Sequence, residues 1–170
     1  AILTTLKAKK PDVVFFGGMD AVAGPMLKQM KQLGINAKFM GGDGICSSEL
    51  PKLAGDGMAD DQVYCAEAGG VEGQQKVGMD AFKTKFKAKF GTDVQVYAPY
   101  VYDGVNLMVA AMVKAGSSDP AKYLPVLAAT KDYKGVTGNI SFDNKGDILN
   151  GALTLKTVKG GKLSEIAVIR

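Results

Sequence analysis

The chain has 170 residues, of which 46% are hydrophobic and 22% charged, the composition of an ordinary globular protein with a hydrophobic core. Its net charge of +4 is carried mostly by scattered lysines, which disfavours a nucleic-acid-binding protein. It contains no histidine, so hydrolase triads and metalloprotease motifs are excluded in their usual forms. The composition therefore favours a binding protein over an enzyme, and we expect neither a cofactor nor a metal site.

In the first part of the chain, short helices and strands alternate. The predicted elements are the end of a helix (1–9), a strand (12–16), a helix (about 20–33), a strand (37–41), a short helix (to about 53) and a strand (62–67). The first strand is the continuous apolar run Val13-Val14-Phe15-Phe16, which is typical of a strand covered on both faces. This alternation predicts a doubly wound α/β sheet. Because the chain starts inside a helical pattern and without Met, we expect it to be a fragment or a processed product.

After the break Gly69-Gly70, which marks a candidate crossover between two lobes, helices predominate. We predict helices over 72–90, about 99–115 and 120–129, and then two strands, 152–158 and 163–169, joined by a hairpin. In the first of these helices Phe82, Phe86 and Phe90 recur at helical spacing, with lysines on the other faces. We interpret this pattern as a core stripe with a solvated face rather than as a nucleic-acid or membrane surface.

Two glycine-rich loops follow predicted strands, and ligands bind beyond the carboxyl ends of strands in open α/β sheets. The loops are Gly17-Gly18-Met19-Asp20 and Gly41-Gly42-Asp43-Gly44. Asp43 either holds an ammonium group or a metal there, or it only forms an Asx turn. Neither loop has the spacing of a phosphate-binding motif.

Tyrosines and cysteines supply the other candidate site residues. Tyr97, Tyr100 and Tyr102 stand where an extended segment enters a helix, and they either line a ligand pocket or pack in the core. Cys46 and Cys65 are the only cysteines, so they form a disulfide in an oxidising compartment or remain two buried thiols, and we predict the disulfide.

Several segments, in the same order, resemble the second half of periplasmic branched-chain amino-acid binding proteins, the Leu/Ile/Val-type receptors of ABC importers. The segments are residues 13–20, 39–44, 97–103 and 138–147. The resemblance covers nearly the whole chain and implies portions of the two α/β lobes of a type I periplasmic binding protein. It implies that residues 1–68 belong to the second lobe, that 69–138 complete the first lobe, and that 139–170 form a hinge crossing and strands returning to the second lobe.

The resemblance also implies a function and a ligand site. Asp43 matches the acidic residue that holds the ligand's α-ammonium group, Met19 and Tyr97 match residues around the ligand side chain, and Tyr100 and Tyr102 are further candidates. The implied protein binds a branched-chain or related amino acid in the periplasm and delivers it to a membrane permease. The carboxylate-binding groups are expected in an absent N-terminal half, and that half or another copy of the fragment is expected to cover exposed apolar faces. The alternative is a ligand-sensing domain of a receptor or regulator with the same bilobal fold; an enzyme is disfavoured.

Overall fold

The computed structural model describes residues 1–70 and 74–169. Its helices are α1 (Ile2–Lys9), α2 (Asp20–Gln32), α3 (Leu50–Ala54), α4 (Gln74–Phe90), α5 (Ala98–Ala115) and α6 (Pro120–Ala128). Its strands are β1 (Val13–Phe16), β2 (Lys38–Gly41), β3 (Val63–Ala68), β4 (Tyr133–Gly135), β5 (Gly138–Ile140), β6 (Leu153–Lys159) and β7 (Lys162–Ile169). Within the described residues, no helix combines the length and the apolar character needed to cross a membrane.

The chain forms two compact units. The first contains residues 1–68 together with the segment that starts at residue 152, and the second contains residues 69–151. The second boundary between these units lies between Gly151 and Ala152. The assignment of the segments to lobes of a larger protein stays a prediction.

The first unit is built on one sheet with the strand order β1-β2-β3-β6-β7. β1, β2 and β3 run parallel, with Phe16 opposite Gly41 and Gly41 opposite Cys65. β6 then joins β3 in the antiparallel sense, and the hairpin β6–β7 completes the sheet. The predicted α/β fold class is confirmed, and the sheet is mixed because the terminal hairpin can pair only antiparallel.

The core of the first unit lies on one face of this sheet. Leu27 and Met30 of α2 are fully buried in the same cluster as Phe39 of β2 and Val63 of β3. Leu3 of α1 belongs to the same cluster, so α1 and α2 cover the same face. The apolar residues of α1 and α2 recur at helical spacing, as amphipathic helices that cover one face of a sheet require.

The opposite face of β1 differs from the expectation of a strand covered on both sides. Val14 is buried, but Val13 is 52% and Phe15 70% exposed. Met40, the register partner of Phe15 on β2, is 40% exposed as well. α1 and α2 pack on the Val14 side, so the side chains on the other side of this apolar run are exposed among the described residues.

The second unit contains α4, α5 and α6 and the short antiparallel hairpin β4–β5, which the sequence did not predict. The rings of Phe82, Phe86 and Phe90 form a ladder along α4, and Phe82 also contacts the ring of Tyr102 at a centroid distance of 5.0 Å. Phe82 and Phe86 are half-buried, whereas Phe90 is exposed. The predicted start of α4 at residue 72 lies outside the described residues.

A row of exposed valines runs along α5. The members, spaced four residues apart, are Val101, Val105, Val109 and Val113. Their exposed fractions lie between 48% and 76%. Residues four apart share one face of a helix, so α5 presents a continuous apolar stripe to solvent in this chain.

Candidate functional site

Two of the predicted site loops meet at the carboxyl ends of β1 and β2. These strands are parallel neighbours, so the chain leaves the sheet at the same edge after Phe16 and after Gly41. A Cβ atom on Gly44 would lie 2.7 Å from the Gly18 carbonyl oxygen and 2.8 Å from the Met19 Sδ. Only glycine permits this approach, and it places Met19 against the turn that begins with Asp43.

Asp43 is exposed and begins the 3₁₀ turn Asp43–Ile45. Its backbone carbonyl accepts a hydrogen bond from the Cys46 amide at 2.9 Å, which closes the turn. In the described part of the chain, its carboxylate accepts no hydrogen bond and forms no ion pair, so no Asx turn is observed. The carboxylate is therefore open to solvent and available to a cationic group.

Met19 lies directly before α2 in an extended conformation, and its carbonyl accepts hydrogen bonds from the Val22 and Ala23 amides. Its side chain is 52% exposed. A methionine thioether is flexible and polarisable, so it adapts to apolar groups of different shapes. The loop thus places an adaptable apolar side chain beside the Asp43 turn.

The Asp43 turn is held in place by two side-chain links that follow it in sequence. Cys46 forms the expected disulfide with Cys65 of β3, with a Cα–Cα distance of 5.5 Å. Ser47 donates a short hydrogen bond to the Asp20 carboxylate. α2 begins at Asp20, and the Asp20 carboxylate accepts hydrogen bonds from the Ser47 hydroxyl and the Ala21 amide.

The three predicted tyrosines all belong to the second unit, and Tyr100 and Tyr102 contact different groups. Tyr97 precedes α5 and is 45% exposed. Tyr102 packs on Phe82 of α4, whereas the Tyr100 hydroxyl lies against Gly69. Residues two apart on a helix point in nearly opposite directions, which separates Tyr100 from Tyr102.

Within the described residues, 1–70 and 74–169, no three His, Cys, Asp or Glu side chains form a group that could hold a metal ion. Among the described residues, the loops that follow β1 and β2 expose the Asp43 carboxylate and the Met19 thioether. This set suits an organic cation with an apolar part better than a bare ion.

Comparison with known proteins identifies the class. Residues 1–162 match the family model described as periplasmic binding protein. The chain is 33% identical over 155 residues to the leucine-, isoleucine-, valine-, threonine-, and alanine-binding protein of Pseudomonas aeruginosa, a match that covers 91% of this chain and 40% of that protein. It is 34% identical over 161 residues to Leu/Ile/Val-binding protein homolog 1 of Brucella abortus, covering 94% of this chain and 42% of that protein.

Solved structures agree with this result. The substrate-binding protein of a branched-chain amino acid transporter from Streptococcus pneumoniae, solved with isoleucine, superposes with a TM-score of 0.80 at 27% identity, covering 99% of this chain and 47% of that one. A leucine-binding protein from Thermotoga maritima shares the fold with a TM-score of 0.81 at 23% identity, with the same coverage. These relatives are named for binding amino acids and not for an enzymatic reaction. The chain belongs to the periplasmic binding protein family, and it spans less than half the length of these relatives.

Proposed function

We propose that this chain is part of the substrate-binding component of an ABC importer, which binds a branched-chain or related amino acid between two lobes. The observation that carries the proposal is the solvent-open carboxylate of Asp43 beside the exposed Met19, at the edge where two parallel strands end. The relatives named for binding leucine, isoleucine and valine support the ligand class.

The chemistry of such a ligand matches these two side chains. An α-amino acid carries an ammonium group, for which Asp43 offers a charge-assisted hydrogen bond. Its aliphatic side chain needs an apolar contact, which Met19 offers without demanding one shape. Tyr97, Tyr100 and Tyr102 remain predictions as further ligand contacts.

The ligand's carboxylate requires partners of its own, because a charged group removed from water is costly unless it is paired. We assign these partners to a segment that the longer relatives have in addition to the part matched by this chain. Two bare apolar surfaces support such a segment, namely the exposed face of β1 with Phe15 and the valine stripe of α5. Exposed contiguous apolar surfaces of this kind are typical of interfaces, and a second copy of the chain is the alternative way to cover them.

We further propose a periplasmic location and a membrane permease as partner. The Cys46–Cys65 disulfide supports an oxidising compartment. Uptake of labelled leucine into vesicles that contain the permease tests the partner directly. Uptake that depends on the protein supports the importer, whereas leucine binding without uptake favours a ligand-sensing domain.

The ligand site is tested by Asp43→Asn in the full-length protein, with calorimetric titration of leucine. Replacing the carboxylate by an amide removes a charge-assisted hydrogen bond of about 1.5–3 kcal/mol, so affinity is expected to fall about tenfold to a hundredfold. Asp12→Asn is the matched control, because Asp12 is also exposed and precedes β1 at the opposite end of the strand. Unchanged affinity in Asp43→Asn, or an equal loss in the control, would contradict the proposed site.

A further inference from the structure

We propose that Ser47 is a positioning residue of this site, and that its bond to Asp20 sets the direction of the Asp43 carboxylate and thereby the preference for ligands with an α-ammonium group. The inference rests on the proposed function. In the proposed site, Ser47 and Asp20 contact neither the ligand's ammonium group nor its side chain. They act through the loop after β1 and the loop after β2.

The Ser47 hydroxyl uses its full hydrogen-bonding capacity. It donates its proton to Asp20 Oδ2, and its oxygen accepts from the backbone amides of Glu49 and Leu50, each at 3.2 Å. A hydroxyl has one proton and two lone pairs, so all of them are engaged. Ser47 is also half-buried, which reduces competition from water. This hydroxyl therefore holds one orientation.

Asp20 transmits the restraint to the other loop. Its Oδ1 accepts from the Ala21 amide at 2.7 Å, which fixes the carboxylate to the start of α2, directly after Met19. The Asp20–Ser47 bond thus joins two loops that are 27 residues apart in sequence. The loop after β1 and the loop after β2 are linked by this bond independently of the contact at Gly44.

Among the described residues, the Asp43 turn has restraints on several sides, but its own carboxylate has none. Gly44 packs against the Gly18 carbonyl, and Cys46 is bonded to Cys65. The direction of the Asp43 carboxylate consequently depends on how the loop is held. Charge-assisted hydrogen bonds are directional, whereas apolar contacts are not, so a loosened loop weakens the ammonium contact more than the contact to an aliphatic side chain.

The different sensitivity of the ammonium contact and the apolar contact can be measured with two ligands. The full-length protein is titrated with leucine and with 4-methylpentanoate, which has the same carbon skeleton without the amino group. We expect the wild type to prefer leucine and Ser47→Ala to lower that preference about threefold to tenfold, which lies in the lower part of the range of coupling between contacting residues. Ser47→Thr keeps the hydroxyl and is expected to restore the preference. Ser48→Ala, at the exposed neighbouring serine, is the matched control and is expected to change nothing.

A second variant separates the link between the loops from the cap of α3. Asp20→Ala removes the acceptor of the Ser47 proton but leaves the two amide bonds of Ser47 in place, and it is expected to lower the preference in the same way. If Asp20→Ala and Ser47→Ala lower the affinity for both ligands equally, or for neither, the positioning role is overturned. A general loss of stability lowers the affinity for both ligands alike. A wild type that shows no preference for leucine overturns the proposed function and this inference with it.

Discussion

Asp103 provides the sharpest test of how the second unit is held together. It lies on α5, is 3% exposed, and accepts three hydrogen bonds from the turn between β4 and β5. Oδ1 accepts from the Val136 amide at 2.9 Å, and Oδ2 accepts from the Thr137 amide at 2.7 Å and from the Thr137 hydroxyl at 2.6 Å. One buried carboxylate therefore organises a turn that has no other anchor of this kind among the described residues.

The perturbation is Asp103→Asn, which keeps the shape but has one acceptor oxygen. Whichever way the new amide is oriented, its NH₂ group faces the backbone amide of Val136 or that of Thr137, and that amide loses its acceptor. An unsatisfied buried donor costs about 1–3 kcal/mol, and the bonds that survive lose their charge assistance. We expect a total loss of about 2–4 kcal/mol in the free energy of unfolding of the second unit.

Urea denaturation measures this loss, and hydrogen exchange at Val136 and Thr137 localises it, since both amides are expected to exchange faster. Asp132→Asn is the control, because it makes the same charge change at an exposed residue next to β4. Surface substitutions of this kind usually change stability by less than about 0.5 kcal/mol. A loss below about 1 kcal/mol in Asp103→Asn, with unchanged exchange at both amides, would refute the assigned role.

Further predictions concern the disulfide, a surface turn and ligand binding by the chain itself. Thiol titration of the denatured, unreduced protein is expected to find no free thiol, and replacing Cys46 and Cys65 by serine is expected to cost about 3 kcal/mol because the bond closes a loop of about 20 residues; two free thiols would contradict this. The amides of Lys145 and Asp147 donate to the Asp143 carboxylate and hold its pKa below the ordinary value. The stability difference between wild type and Asp143→Asn is thus expected to be present at neutral pH and to vanish as pH falls through the lowered pKa; a difference independent of pH argues against this turn as its source. Calorimetry of the 170-residue chain with leucine, isoleucine, valine and phenylalanine is expected to show weak or no binding, since the ligand carboxylate lacks its partners, and micromolar binding would show that this chain supplies them.

Local signals in the sequence were sufficient to recognise helix ends that depend on residues close to one another in the chain. Pro11 follows α1, and Gly34, with φ +67°, follows α2. Asp119, directly before Pro120, accepts a hydrogen bond from the Ala121 amide at 3.0 Å and starts α6. Such caps involve groups within one turn of chain, so the sequence alone is enough to recognise them.

The hairpin β4–β5 was missed for the opposite reason. Its strands have three residues each and no apolar alternation, and its turn is held by Asp103, which lies 33 and 34 residues before the amides it binds. No short-range pattern reports a contact of that separation. The bare face of Phe15 was missed as well, because an apolar run indicates which strand can be buried but not which of its faces finds a partner within the chain.

For the candidate site, the sequence by itself determined the residue types at the strand ends, a carboxylate at Asp43 and an apolar side chain at Met19. The tertiary structure decided that these loops touch at Gly44 and that Ser47 reaches Asp20. It also decided that Tyr102 faces Phe82 rather than Tyr100. These contacts depend on the parallel register of β1 on β2 and on how helices pack, and both are set by burial of side chains that are far apart in sequence.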